Sequence, residues 1–120
     1  MKKIMNEAEN FVDETIEGII YAYGDKLKIL NGDKRIILTN FPVEKGKVGI
    51  VTGGGSGHLP VFLGYVGDGM LDGCAVGNVF ASPSANKMTE MIKACDYGAG
   101  VLCLYGNYGG DNMNFDMACE

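Results

Sequence analysis

The chain has 120 residues, of which 47% are hydrophobic, and a formal net charge of -5 at pH 7. This length allows one small domain with a hydrophobic core, and the acidic balance disfavours a nucleic-acid partner, which would favour a basic face. No apolar run approaches the length of a membrane span. The cysteines show no C-x-x-C spacing, which argues against a zinc site or a redox pair. We therefore expect a cytoplasmic protein with no metal site and with neither a membrane nor a nucleic acid as partner.

The first forty residues predict a helix followed by a β-hairpin. Apolar residues repeat at helical spacing from Asn6, which can cap a helix, to about Tyr23. Residues 27–30 and 35–39 are short apolar runs typical of strands. Between them stands Asn31-Gly32-Asp33, a strong signal for a tight hairpin turn.

From residue 48 onward, predicted strands alternate with predicted helices. The strands lie at residues 48–52, within 74–80 and at 100–105, and the helices at residues 59–66, 87–95 and from 112 onward. Ser82 or Ser84 can cap the second of these helices. Such alternation is typical of βαβ crossovers. We therefore expect an α/β fold with a mainly parallel, Rossmann-like sheet in three layers.

The loop after the first of these strands is rich in glycine and carries the one histidine of the chain. Residues 52–60 read Thr-Gly-Gly-Gly-Ser-Gly-His-Leu-Pro. Glycine lacks Cβ and reaches positive φ, so the loop can present backbone N–H groups to a small polar ligand. A helix beginning near Pro60 would add its dipole, and His58 an acid, a base or an orienting hydrogen bond. Close packing by the glycines and a structural role for His58 remain alternatives.

Known nucleotide-binding loops do not match this stretch. The phosphate-binding loop of nucleotide hydrolases needs a lysine, which is missing here. The dinucleotide-binding pattern needs a third glycine where His58 stands.

A second glycine-rich loop, residues 106–111, follows the last predicted strand. Ligands of parallel α/β sheets bind beyond the carboxyl ends of the strands, so both loops can converge on one crevice. Asp111 ends the loop, either as a helix N-cap or as a carboxylate that takes the proton of a substrate hydroxyl during phosphoryl transfer. Weaker candidates for the crevice are Ser56, Asn78, Ser82, Asn107 and Tyr108.

Four ordered motifs carry a resemblance to a known family. They are Thr-Gly-Gly-Gly-Ser-Gly-His-x-Pro at residues 52–60, Gly-Tyr-Val-Gly-x-Gly-Met-Leu-x-Gly at 64–73, Phe-x-Ser-Pro at 80–83 and Asn-Tyr-x-Gly-Asp-x-x-Asn-Phe at 107–115. Together they closely resemble the N-terminal part of the dihydroxyacetone kinase K-type domain, over nearly the whole chain. The resemblance implies that residues 1–120 form the N-terminal part of a longer domain.

The resemblance also implies a function and a site. The family's substrate-binding subunit holds dihydroxyacetone or a related short ketose, and ATP or a separate nucleotide-carrying subunit supplies the phosphoryl group. No cofactor is then expected in this chain, with ATP or ADP and Mg on a partner domain or subunit, and a homodimer is expected at full length. His58 would orient the ketose and Asp111 would act as general base. The implied substrate-binding residues are Gly54, Gly55, Ser56, Gly57, His58 and Asp111.

Two departures from the family pattern bear on this expectation. The family uses a second histidine to bind the ketose carbonyl as a hemiaminal, whereas His58 is the one histidine here. We therefore expect this chain to be inactive as a kinase on its own. Gly106 stands where the family usually has lysine, and Leu59 where it commonly has glutamate. A four-carbon ketose as substrate and a non-catalytic, ketose-binding regulatory paralogue are the alternatives.

Overall fold

The computed structural model describes residues 1–120 and contains one five-stranded sheet flanked by three α-helices. The elements in chain order are α1 (Phe11–Tyr23), β1 (Leu27–Leu30), β2 (Asp33–Thr39), β3 (Gly49–Gly54), β4 (Gly73–Val76), α2 (Ala85–Ala94), β5 (Val101–Cys103) and α3 (Gly109–Cys119). Two single-turn 3-10 helices, Ser56–His58 and Leu63–Tyr65, lie between β3 and β4. No helix has the length and apolar character needed to cross a membrane.

The N-terminal hairpin forms where the sequence predicts it. β1 and β2 pair antiparallel, with Leu27 opposite Thr39 and Ile29 opposite Ile37. Asn31 has φ of 49° and Gly32 has φ of 77°, so both turn residues occupy the left-handed region. Asparagine and glycine tolerate that region best, and such a turn matches the twist of the flanking strands.

The sheet is mixed, so the prediction of a mainly parallel, Rossmann-like sheet is wrong. The strand order is β1-β2-β4-β3-β5. β3 pairs parallel with both β4 and β5, whereas β2 runs antiparallel to both β1 and β4. The short turn between β1 and β2 enforces an antiparallel pair, and β2 then joins the sheet beside β4. The parallel part is limited to β4, β3 and β5.

Alternation along the strands divides the hydrophobic core between the two faces of the sheet. On one face, α1 and the Leu63–Tyr65 turn pack with Ile37 and Val76. On the other face, α2 and α3 pack with Val51 and Ala75. Neighbouring residues of a strand point to opposite faces, which is why two adjacent buried residues can serve different cores. Helices therefore cover both sides of the sheet.

No α-helix forms over residues 59–66, contrary to the prediction. The segment contains the Leu63–Tyr65 turn, a cis peptide bond between Leu59 and Pro60, and Phe62 at φ of 69°. A residue in the left-handed region interrupts a right-handed helix, because its carbonyl and amide no longer align with the adjacent turns. The glycine loop after β3 therefore has no long helix and no helix dipole behind it.

The other two predicted helices form, with shifted ends. α2 begins after Ser84, whose hydroxyl accepts a hydrogen bond from the Lys87 amide at 3.4 Å, so Ser84 is the cap. α3 begins at Gly109, earlier than predicted, and its N-cap position is Tyr108. The first turn of α3 therefore contains Gly109, Gly110 and Asp111.

Candidate functional site

A cavity of about 260 Å³ lies at the carboxyl ends of the three parallel strands. Each strand contributes one segment: the glycine loop (residues 53–58) after β3, the wall segment (residues 77–82) after β4, and the second loop (residues 104–108) with the start of α3 after β5. The lining residues are Gly55, His58, Val79, Phe80, Ala81, Ser82, Tyr108 and Asp111. The two glycine-rich loops therefore meet at the edge of the sheet where parallel α/β folds bind ligands.

Asp111 is buried at the base of this cavity. The residue is 3% exposed, and its Oδ1 atom is buried without a hydrogen-bond partner. It lies in the first turn of α3, where the helix dipole favours a negative charge. The N-cap alternative is wrong, because Tyr108 occupies the cap position and Asp111 lies three residues into the helix. A buried carboxylate oxygen that bonds no protein donor is free to accept a hydrogen bond from a ligand.

Phe115 anchors the helix face that carries Asp111. One turn separates the two residues, so both point inward from α3. The Phe115 ring is fully buried and stacks on Tyr105, with centroids 4.1 Å apart and planes 6° from parallel. A Cβ on Gly53 would come within 3.3 Å of the same ring. The aromatic pair thus packs α3 against Gly53 of the glycine loop. Desolvation raises the pKa of Tyr105 above its ordinary value.

His58 is exposed at the rim of the cavity and is held by two aromatic rings. Its imidazole contacts Phe62 edge-on, with centroids 5.9 Å apart, and Tyr108 at 5.4 Å. Its backbone N–H donates to the Gly55 carbonyl at 3.2 Å. No protein group hydrogen-bonds either ring nitrogen. The imidazole can therefore donate to, or accept from, a ligand oxygen.

The glycines of the loop serve close packing, which corrects the expectation of positive φ. None of Gly53, Gly54, Gly55 and Gly57 has a positive φ. A Cβ on Gly57 would lie 2.5 Å from the Val79 carbonyl oxygen, and one on Gly54 would lie 2.3 Å from the Phe62 ring.

Two amides of this loop bond to the wall segment. The Ser56 N–H donates to the Asn78 carbonyl at 3.0 Å, and the Gly57 N–H donates to the Val79 carbonyl at 3.1 Å. The loop is thus docked by backbone hydrogen bonds onto the wall segment, and those two amides are not available to a ligand.

The structure brings together half of the residues predicted to bind substrate. Gly55, His58 and Asp111 line the cavity, whereas Gly54, Ser56 and Gly57 do not. Ser56 is 7% exposed, and its Oγ is buried without a hydrogen-bond partner, beneath the loop.

Two of the weaker candidates, Ser82 and Tyr108, also line the cavity. Asn78 and Asn107 do not, and their side-chain oxygens accept hydrogen bonds from Arg35 and Asn112, respectively.

Asn78 and Ser82 of the wall segment were predicted candidates for the site, but the three residues between them were not. Val79, Phe80 and Ala81 line the cavity beside Ser82. The Phe80 side chain is fully exposed, which is unusual for a large apolar residue. The Phe-x-Ser-Pro motif at residues 80–83 was the signal that could have placed this segment at the site. No group of three histidine, cysteine or acidic side chains is arranged to hold a metal ion.

A family profile described as the Dak1 domain matches residues 17–120. This chain belongs to the Dak1 domain family. This chain is 47% identical to a Listeria innocua protein named PTS-dependent dihydroxyacetone kinase 1, dihydroxyacetone-binding subunit DhaK. The alignment covers 100% of this chain and 36% of that protein. These matches confirm the family indicated by the four motifs.

Solved structures share the fold of this chain. The dihydroxyacetone kinase of C. freundii, in complex with AMP-PNP and Mg2+, aligns with a TM-score of 0.87 and 36% identity, over 98% of this chain and 22% of that one. The dihydroxyacetone kinase operon co-activator Dha-DhaQ aligns with a TM-score of 0.80 and 34% identity, over 88% of this chain and 32% of that one. The chain thus spans about a third or less of the length of these relatives.

Proposed function

We propose that this chain carries the ketose-binding site of a kinase that phosphorylates dihydroxyacetone or a related short ketose. The observation that carries the proposal is the buried Asp111 carboxylate, which has an unpartnered oxygen at the base of a small cavity with His58 at its rim. The family relatives support it, because the Listeria innocua relative is named as a dihydroxyacetone-binding subunit.

Asp111 is proposed to act as the general base. A ketose hydroxyl donates a hydrogen bond to the carboxylate, which orients the hydroxyl oxygen toward the incoming phosphorus. As the new oxygen–phosphorus bond forms, the oxygen–hydrogen bond breaks and the proton passes to Asp111, while the donor keeps the electrons of the bond that it loses. The carboxylate lies in the first turn of α3, where the helix dipole favours a negative charge.

His58 is proposed to orient the ketose from the opposite side. Its ring nitrogens have no protein partner, and the rings of Phe62 and Tyr108 restrict its position. One hydrogen bond from His58 and one to Asp111 would fix a small polar molecule at two points. Of the substrate-binding set, Gly55 touches the ketose with them, and Gly54, Ser56 and Gly57 hold the loop in place.

The residues at the cavity do not fit a magnesium nucleotide. Asp111 is the one carboxylate among the lining residues, and none of them is lysine or arginine. Nucleotide sites hold phosphates with lysine, arginine or free backbone N–H groups and hold magnesium with several oxygen ligands. We therefore assign ATP or ADP with Mg to a partner domain or subunit. We take residues 1–120 as the N-terminal part of a longer domain that forms a homodimer.

The test is a comparison of Asp111→Asn with the unmodified protein, in the complete protein supplied with its phosphoryl donor. We expect dihydroxyacetone binding to persist in calorimetric titration, because asparagine keeps the shape and the hydrogen-bonding oxygen. We expect turnover to fall by about 100-fold to 10,000-fold, the usual contribution of a general base. Asp116→Asn, on the exposed side of α3, is the matched control and should change neither quantity. Full turnover in Asp111→Asn would remove Asp111 from the mechanism.

A non-catalytic ketose-binding paralogue is the second candidate. Gly106 stands where the family usually has a lysine, and the fold aligns with an operon co-activator. This candidate predicts that the unmodified protein binds dihydroxyacetone or erythrulose and never phosphorylates either. The same titration and turnover assay therefore distinguish the two candidates. Failure to bind either ketose would refute both.

A further inference from the structure

Arg35 of β2 lies outside the site cavity but is hydrogen-bonded to the segment that forms its wall. The guanidinium Nη1 donates to the Gly77 carbonyl at 3.0 Å and to the Asn78 Oδ1 at 2.9 Å. Its Nε donates to the Asp13 carboxylate of α1, also at 2.9 Å. One side chain thus joins β2, α1 and the start of the wall segment.

Gly77 and Asn78 in turn hold the glycine loop. The Gly77 N–H donates to the Gly54 carbonyl at 2.9 Å, and the Asn78 carbonyl accepts the Ser56 N–H at 3.0 Å. A Cβ on Gly77 would lie 2.0 Å from the Ala81 carbonyl oxygen, so the wall segment folds tightly on itself. A shift at Gly77 or Asn78 is therefore transmitted to the glycine loop and to the histidine at its end.

We propose that Arg35 is a positioning residue for this site: by holding Gly77 and Asn78 it sets where His58 lies. The inference rests on the proposed ketose-binding function, although its structural part can be measured without ligand. Arginine suits the task because its planar guanidinium donates in several fixed directions, whereas a lysine ammonium is a compact charge at the end of a flexible stem. The hydrogen bonds to Gly77 and Asn78 hold the wall segment, whereas the bond from Nε to Asp13 links the same side chain to α1.

Arg35→Lys in the full chain tests this proposal, because it keeps the positive charge and removes the planar guanidinium that donates to both Gly77 and Asn78. His58 is the one histidine among residues 1–120, and its ring-proton signals are assigned by their loss in His58→Asn. We expect Arg35→Lys to shift these signals and the amide signals of Ser56 and Gly57, well below the unfolding temperature. We expect the affinity for dihydroxyacetone to fall about tenfold, because a displaced His58 would lose its hydrogen bond to the ketose.

Two control variants separate positioning from general stability. Asp13→Asn weakens the bond between the guanidinium and α1 but leaves both bonds to the wall segment. Lys34→Gln removes the neighbouring cation, which pairs with Glu17 of α1. Neither variant should move the His58 signals. If Arg35→Lys does not fold, Asn78→Ala removes one of the two acceptors in the wall segment and should shift the same signals by a smaller amount.

The outcomes are distinguishable. Unmoved His58 signals in Arg35→Lys, or equal shifts in Asp13→Asn, would overturn the positioning role. Failure of the unmodified protein to bind any short ketose would refute the proposed function instead, and the NMR comparison would still decide whether Arg35 sets the position of His58.

Discussion

Replacing Asp111 by asparagine should make the folded protein more stable. Asp111 is 3% exposed, and its Oδ1 has no hydrogen-bond partner. Leaving a buried polar group unsatisfied costs about 1–3 kcal/mol. The dipole of α3 offsets about 0.3–1 kcal/mol of this cost for a carboxylate in the first turn. An amide in the same place also leaves a polar atom unsatisfied but buries no charge, so we expect a net gain of about 1 kcal/mol, which raises the unfolding temperature by about 4 °C in a chain of 120 residues.

Thermal unfolding followed by circular dichroism measures this change, at neutral pH and without ketose. Asp116→Asn is the control, since this exposed position on the same helix should change the free energy of unfolding by less than about 0.5 kcal/mol. A loss of about 1 kcal/mol or more in Asp111→Asn would refute the reasoning, because the carboxylate would then be stabilising the fold. The expected gain is typical of residues kept for function at a cost in stability.

The remaining predictions concern the glycine loop and acid stability. Gly57→Ala should abolish ketose binding in calorimetry while the fold is retained, because the added Cβ would lie 2.5 Å from the Val79 carbonyl oxygen. Gly67→Ala is the control and should bind ketose normally, because a Cβ there meets no atom within 4 Å. Equal binding by the two variants would contradict the packing argument. Burial opposes ionisation of Asp33, but its hydrogen bond with Lys87 prevails and lowers its pKa below the ordinary 3.8. This pair should stabilise the fold above pH 3.8 and cease to do so as pH falls through the lower folded-state pKa. The free energy of unfolding of Asp33→Asn should not show this fall at low pH. An acid unfolding curve equal to that of the unmodified protein would contradict the stabilising role of the Asp33–Lys87 pair.

The site is built on the parallel part of the sheet, and this arrangement explains how three short segments can be held together. β4, β3 and β5 are neighbours, so the segments that leave their carboxyl ends lie side by side. Arg35 lies on β2 beside the end of β4, which is why it can reach the wall segment that follows β4. The hairpin that makes the sheet mixed therefore supplies a residue that supports the site.

Several features of this protein could be predicted from the sequence, because they depend on residues close together in the chain. Asn31 and Gly32 encode their own turn, since both tolerate a positive φ. Apolar runs mark the strands, and the glycine-rich loops at strand ends mark where His58 and Asp111 would lie. The order of the four motifs identified the family.

The tertiary structure decided what depends on residues far apart in the chain. The position of β2 beside β4, the contact of Gly57 with Val79 and the burial of Asp111 arise from segments separated by many residues. Strand order is selected by how the two faces of the whole sheet are covered, which no local pattern encodes. The same holds for the glycine loop. Its composition indicates a close approach of the backbone to another group. Only the folded chain shows that Gly57 approaches the backbone of Val79 and not a ligand.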